Sequence, residues 1–157
     1  MWRTYPTVSA ILGLLLLPRC SSAQGPGGAV VTRDVERAVR AYAAGYDASD
    51  GAAMARFLDS TGVATLAEDG LLLRGWSAIR AHFDSVAENA RLYGDMRLQV
   101  TAIDVTSLGP DYAVAVVICR RIMKPSEWPC VITAVLRRTS RGWRAVTMHQ
   151  STVPTVE

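Results

Sequence analysis

The chain has 157 residues, half of them hydrophobic, with 17 Lys and Arg against 14 Asp and Glu and a formal net charge of +3. That leaves room for one domain with its own core, and the lack of any basic run interleaved with aromatics argues against a nucleic-acid partner. Three cysteines, Cys20, Cys119 and Cys130, stand without His, Asp or Glu at zinc-like spacing, so no metal site is expected, and no cofactor either.

Residues 1–23 read as an export leader. Arg3 and the free amine precede ten uncharged residues, VSAILGLLLL, which are too few to span a bilayer, and small residues follow. Ser21 and Ala23 suit a signal peptidase, which places cleavage after Ala23 and the protein outside the cytoplasm, secreted or periplasmic. Lipidation of Cys20 and an uncleaved anchor are the alternatives; Pro18 and Arg19 stand where a lipobox has small residues. Without the leader the charge falls to 15 basic against 14 acidic residues, so most of the apparent basicity belongs to it. No membrane association is expected after cleavage.

Residues 24–32 read as a flexible linker, 33–153 as the domain and 154–157 as a tail. The spacing of Val35, Val39, Tyr42, Ala43 and Tyr46 predicts a helix over about 33–48. Asp50 then caps a short helix, GAAMARFLD, whose buried side is Met54, Phe57 and Leu58. GVATLAEDGLLLRG reads as two strands around an Asp-Gly turn. Ile79, Phe83 and Val86 stripe a helix from about Trp76 to Ala90.

The remainder reads as an antiparallel meander. DMRLQVTAIDVTS slips phase near Ala102, which predicts a bulge. DYAVAVVICRRI is apolar on both faces and is expected to be covered on both. WPCVITAVLRR and GWRAVTMHQST complete the sheet, giving an α+β domain. Cys119 and Cys130 lie symmetrically about KPSE, 124–127, where a hairpin places them opposite each other. They are a disulfide candidate in an oxidising compartment, worth roughly 2–3 kcal/mol from loop closure; two buried free thiols are the other reading.

The helix ending YDASDGAAMARFLD, the segment DGLLLRGWSAIRAHF with Gly75 and Ile79, and the terminal GWRAVTMHQS together resemble the nuclear transport factor 2-like superfamily, in its SnoaL-like and kinase association-domain-like branch. The resemblance covers about residues 33–153. It implies a cone, a strongly curved antiparallel sheet wrapped around the N-terminal helices with a pocket at the open end. Function does not follow from such a fold, which hosts isomerases, cyclases, dehydratases and non-catalytic members.

Tyr42 falls where ketosteroid isomerases keep an oxyanion-stabilising tyrosine, although an aromatic filling core space is the competing reading. Leu66 and Ala134 fall where the acids of that site belong, and neither moves a proton. Glu68 and Asp69, in the turn, read as solvated. The resemblance therefore implies a hollow without proton-shuttling carboxylates, lined by ligand-binding candidates Tyr42, Tyr46, Phe83, Trp128, Met148 and Gln150.

His149 is a catalytic candidate beside Tyr42, and its direction depends on the turn at residues 140–142. A two-residue turn pairing Ser140 with Trp143 puts His149 on one face with Cys130 and Ile132. A three-residue turn pairing Thr139 with Trp143 turns Val146, Met148 and Gln150 there instead. The resemblance favours Gln150 in the pocket and His149, with Thr147 and Ser151, on the outer face where such folds pair into homodimers. His82 reads as a boundary residue, and the pairs Arg120-Arg121 and Arg137-Arg138 as solvated, unless one arginine turns inward to make an anion site. The favoured reading is an exported, non-catalytic domain with an apolar pocket for a small apolar or carbonyl-containing ligand. The alternatives are an isomerase, dehydratase or cyclase using Tyr42 with His149 or Gln150, and an assembly module.

Overall fold

The computed structural model of the protein describes residues 26–94 and 96–152. The leader, Cys20 and the C-terminal tail lie outside them. Three helices, α1 (Pro26–Asp47), α2 (Gly51–Ala55) and α3 (Trp76–Tyr93), pack on six strands: β1 (Thr65–Glu68), β2 (Leu71–Arg74), β3 (Met96–Ser107), β4 (Tyr112–Met123), β5 (Ser126–Thr139) and β6 (Gly142–Thr152). The strand order is β2-β1-β6-β5-β4-β3.

The residues read as a linker are helical from Pro26. Proline suits a first helical turn, and Val31 extends the stripe of Val35, Val39, Tyr42 and Tyr46 one turn back, so burial continues the helix upstream of Arg33. Asp50 caps α2 as expected, accepting a hydrogen bond from Ala53 N at 2.9 Å. At Gly51 a Cβ would lie 2.6 Å from the Phe83 carbonyl oxygen, so the absent side chain lets α2 and α3 touch.

β3 to β6 form the antiparallel meander, with the expected irregularity between Val100 and Ala102. The sheet is nevertheless mixed, because β1 joins β6 in parallel. The antiparallel β1–β2 hairpin, with Asp69 (φ 44°) and Gly70 (φ 89°) at its turn, sends β1 along β6 in the same direction. β4 is covered on its inner face only. Ile118 on the other face is 45 % exposed in the single chain.

The β5–β6 turn follows neither expected register. Thr139 pairs with Gly142 around Ser140-Arg141, and a bulge then absorbs one residue, since Leu136 faces Ala145 while Val135 faces Thr147. One slip and one bulge leave Trp143, Ala145, Met148 and Gln150 buried, and His149 exposed. Cys119 and Cys130 face each other across β4 and β5, their Cα atoms 5.1 Å apart, joined as a disulfide.

Candidate functional site

Strand alternation aims three polar side chains at one point. Glu68 follows Leu66 on the inner face of β1, Gln150 follows Met148 on β6, and Arg121 follows Cys119 on β4. Glu68 is 8 % exposed and Gln150 fully buried. Glu68 Oε1 accepts from Arg121 Nη1 at 2.8 Å and from Gln150 Nε2 at 3.0 Å, while Oε2 lies 2.8 Å from His82 Nε2 on α3. A carboxylate has about four acceptor sites, so these donors leave Glu68 about one for anything else. Burial this deep is tolerable because the charge is paired and hydrogen-bonded.

Arg121 also bridges to Asp69 Oδ2 at 2.7 Å, and the Trp128 ring lies beside its guanidinium, 5.9 Å from Cζ to the ring centroid. Asp69 Oδ1 accepts from both N and Oγ1 of Thr152, each at 2.9 Å. Beside this network lies a cavity of about 170 Å³. Tyr46, Glu68, Asn89 and Arg121 supply its polar lining, and Val86, Met96 and Met123 its apolar lining.

Tyr42 donates to the Tyr46 hydroxyl at 3.4 Å, and the Gln150 side chain interacts with the same hydroxyl. Burial above all, and then neighbouring negative charge from Glu68, push the Tyr46 hydroxyl well above the usual phenol range. The Tyr42 hydroxyl is raised as well, by burial first and then by Tyr46 and Glu68. Both phenols are therefore neutral donors at neutral pH. Gln150 Oε1 and Arg121 Nε are buried without a partner among the described residues.

A model of the SnoaL-like domain matches residues 35–155. The chain belongs to the SnoaL-like domain family. Solved structures agree on the fold of this SnoaL-like domain. A nuclear transport factor 2-like protein of unknown function from Pseudomonas putida superposes with TM-score 0.70 at 16 % identity, covering 82 % of this chain and 91 % of that one. A nuclear transport factor 2-like protein from Streptomyces avermitilis, described as a candidate dehydratase, gives 0.69 at 18 %, covering 80 % and 97 %. One from Novosphingobium aromaticivorans, with a cystatin-like fold, gives 0.65 at 20 %, covering 82 % and 86 %. The comparison with curated proteins gave no match.

Against the expectations from sequence, this SnoaL-like domain differs most at Glu68. It is not solvated, so the hollow is not free of carboxylates: period-two alternation from Leu66 carries it inward, and only Asp69 occupies the turn. His82 is drawn to it from α3, with 20 % of its side chain exposed, and Arg121 turns inward to the same carboxylate. Of the ligand-binding candidates, Tyr46 lines the cavity, Gln150 holds Glu68 and Trp128 lies against Arg121. Tyr42 stands behind Tyr46, edge-on to Phe83 at 6.0 Å and tilted against Phe57 at 5.0 Å. Phe83 and Met148 are core residues, 0 % and 1 % exposed, and do not line this cavity. His149 lies on the outer face, opposite Thr133 and Ala67.

Two aspartates give the SnoaL-like domain an acid-sensitive component. Burial by itself would raise Asp59 and Asp69, but hydrogen bonds from Thr61 and Thr152, together with the guanidinium groups of Arg137 and Arg121, outweigh it and hold both below the ordinary Asp value. A depressed folded value means that their stabilisation is complete above the unfolded pKa of about 3.9 and is lost as pH falls through the folded values. Urea midpoints are expected to stay level from about pH 6 to 5 with respect to these groups and to drop below about pH 4. Asp69→Asn is expected to flatten part of that drop; an unchanged acid slope would show that the Asp69 contacts do not persist in solution.

Proposed function

We propose that the domain binds a small neutral molecule carrying a carbonyl or hydroxyl group, held in the cavity beside Glu68. The observation that carries this reading is the composition of the cavity lining: a fixed ion pair and a neutral phenol together with aliphatic and thioether groups. Tyr46 would donate to a ligand oxygen, and the remaining acceptor site of Glu68 would take a ligand hydroxyl. At about 170 Å³ the space is small for a ligand pocket, so it suits a single-ring molecule better than a polycyclic one. The pocket proposed is thus amphipathic rather than apolar.

A second reading, proton transfer at a carbonyl compound, rests on the 2.8 Å contact between His82 and Glu68. Binding is preferred because the contacts with Arg121, Gln150 and His82 already occupy most of the acceptor sites of Glu68. Cyclohexanone in deuterium oxide separates the two. Saturable amide shifts around Tyr46 and Asn89 without loss of the α-proton signal are expected from binding. Exchange that needs both Glu68 and His82 would establish the catalytic reading, and no shifts at all would remove both.

Export is part of the proposal, supported by the leader-like residues 1–23 and the cross-strand disulfide. Mass spectrometry of the protein from its native host is expected to find Gln24 at the amino terminus. Retention of Met1 would reject cleavage.

A further inference from the structure

The loop after α2 and the β5–β6 hairpin enclose a second cavity of about 370 Å³, lined by Arg56, Asp59, Thr61, Trp76, Arg141 and Arg144 among others. It shares no lining residue with the cavity beside Glu68. The loop is strapped to β6 by backbone bonds. Ala145 N donates to Phe57 O at 2.8 Å and Asp59 N donates to Ala145 O at 2.9 Å, so the two walls hold a fixed spacing.

The one carboxylate in this lining is already neutralised. Asp59 is 2 % exposed, accepts from Thr61 N at 2.9 Å and is paired with Arg137. The three arginines are not matched in the same way. Arg56 reaches Asp50 only at 3.8 Å, with the Arg56 side chain largely and that of Asp50 partly in solvent. Arg141 and Arg144 make no ion pair among the described residues, and Arg144 Nη1 is held in place by donating to the Trp143 carbonyl at 2.8 Å. Burial first, and then the charges of Arg141 and Arg56, depress Arg144 from the ordinary arginine value, with Asp59 only partly opposing them. Like charges crowded into a concave, hydroxyl-bearing groove repel one another until an anion shares them.

We propose that this groove is a second binding site, which takes a small molecule through a phosphate-type oxyanion gripped by Arg56, Arg141 and Arg144. Ser140 on the lining supplies a hydroxyl donor, and Trp76 and Leu58 supply an apolar surface for an organic portion. A groove of this volume falls in the range of small-molecule pockets, which favours a discrete ligand over an extended polyanion.

Calorimetric titration of the protein with pyrophosphate, inorganic phosphate and phenyl phosphate, at one ionic strength set with sodium chloride, tests the site. Saturable 1:1 binding is expected. Arg141→Gln and Arg144→Gln are each expected to weaken it by about tenfold, from loss of a charge-assisted contact. Arg97→Gln, on an exposed position of β3 that lines neither cavity, is expected to leave it unchanged. Arg141 lies on an exposed turn, so its variant keeps the test valid if Arg144→Gln lowers the melting temperature. Tighter binding of phenyl phosphate than of inorganic phosphate identifies an organic phosphate as the ligand class, and equal binding identifies the free oxyanion. Absence of saturation, or equal losses in Arg97→Gln and Arg141→Gln, would overturn the proposal.

Discussion

Glu68→Ala is expected to lower the unfolding free energy by about 3–5 kcal/mol, the usual consequence of removing one member of a buried ion pair. The loss would come less from the missing attraction than from what is left behind. Arg121, with 20 % of its side chain exposed, would keep Asp69 as a partner, whereas Gln150 and His82 would face a hole with donors unmet. Glu68→Gln keeps the shape but brings an amide N–H against a set of donors, so it is expected to recover only part of the loss. Glu68→Leu combined with Arg121→Met, which removes both charges, is expected to be more stable than Glu68→Leu alone. Guanidinium unfolding measures all four. A cost below about 1 kcal/mol for Glu68→Ala would place the carboxylate in solvent, in the range of exposed pairs, and would remove the polar lining on which the ligand proposal stands.

Phe83→Ala is expected to cost a similar amount, about 3–5 kcal/mol, because the ring is fully buried and would leave a void. It is edge-on to Tyr42 and beside His82, at 5.4 Å between centroids, so the void would open between α1 and α3. Phe83→Leu is expected to lose much less, having most of the volume. Urea unfolding distinguishes this from the pocket role suggested by the family resemblance. A ring that merely lined an open pocket would be worth much less, and its removal would enlarge the ligand space with little change in midpoint. Such a result would return Phe83 to the list of ligand contacts.

The contrast between these two residues shows what kind of information each carries in the chain. Both positions obey a simple period. Phe83 completes the stripe begun by Ile79, and Glu68 occupies the inner phase set by Leu66. Polarity misled the reading of Glu68: a charged side chain next to an Asp-Gly turn is ordinarily solvated, and nothing local announces that an arginine 53 residues away will meet it. Arg121 had the same ambiguity at the end of an apolar strand. Its phase with Cys119 pointed inward, but only a partner makes that direction tolerable.

By itself the sequence determined the helix stripe from Val35 to Tyr46, the Asp50 cap, the Asp69-Gly70 turn and the Ala102 bulge. Each is decided within a few residues by spacing, capping or turn chemistry. Tertiary structure alone decided three things: the parallel docking of β1 on β6, the bulge that sets the face of His149, and the meeting of Tyr46, Glu68, His82, Arg121 and Gln150. The physical reason is the same in each case. A one-residue shift reverses a strand's faces, and a buried charge is stable only when its partners arrive from elsewhere in the chain, so both depend on how the sheet closes around α1.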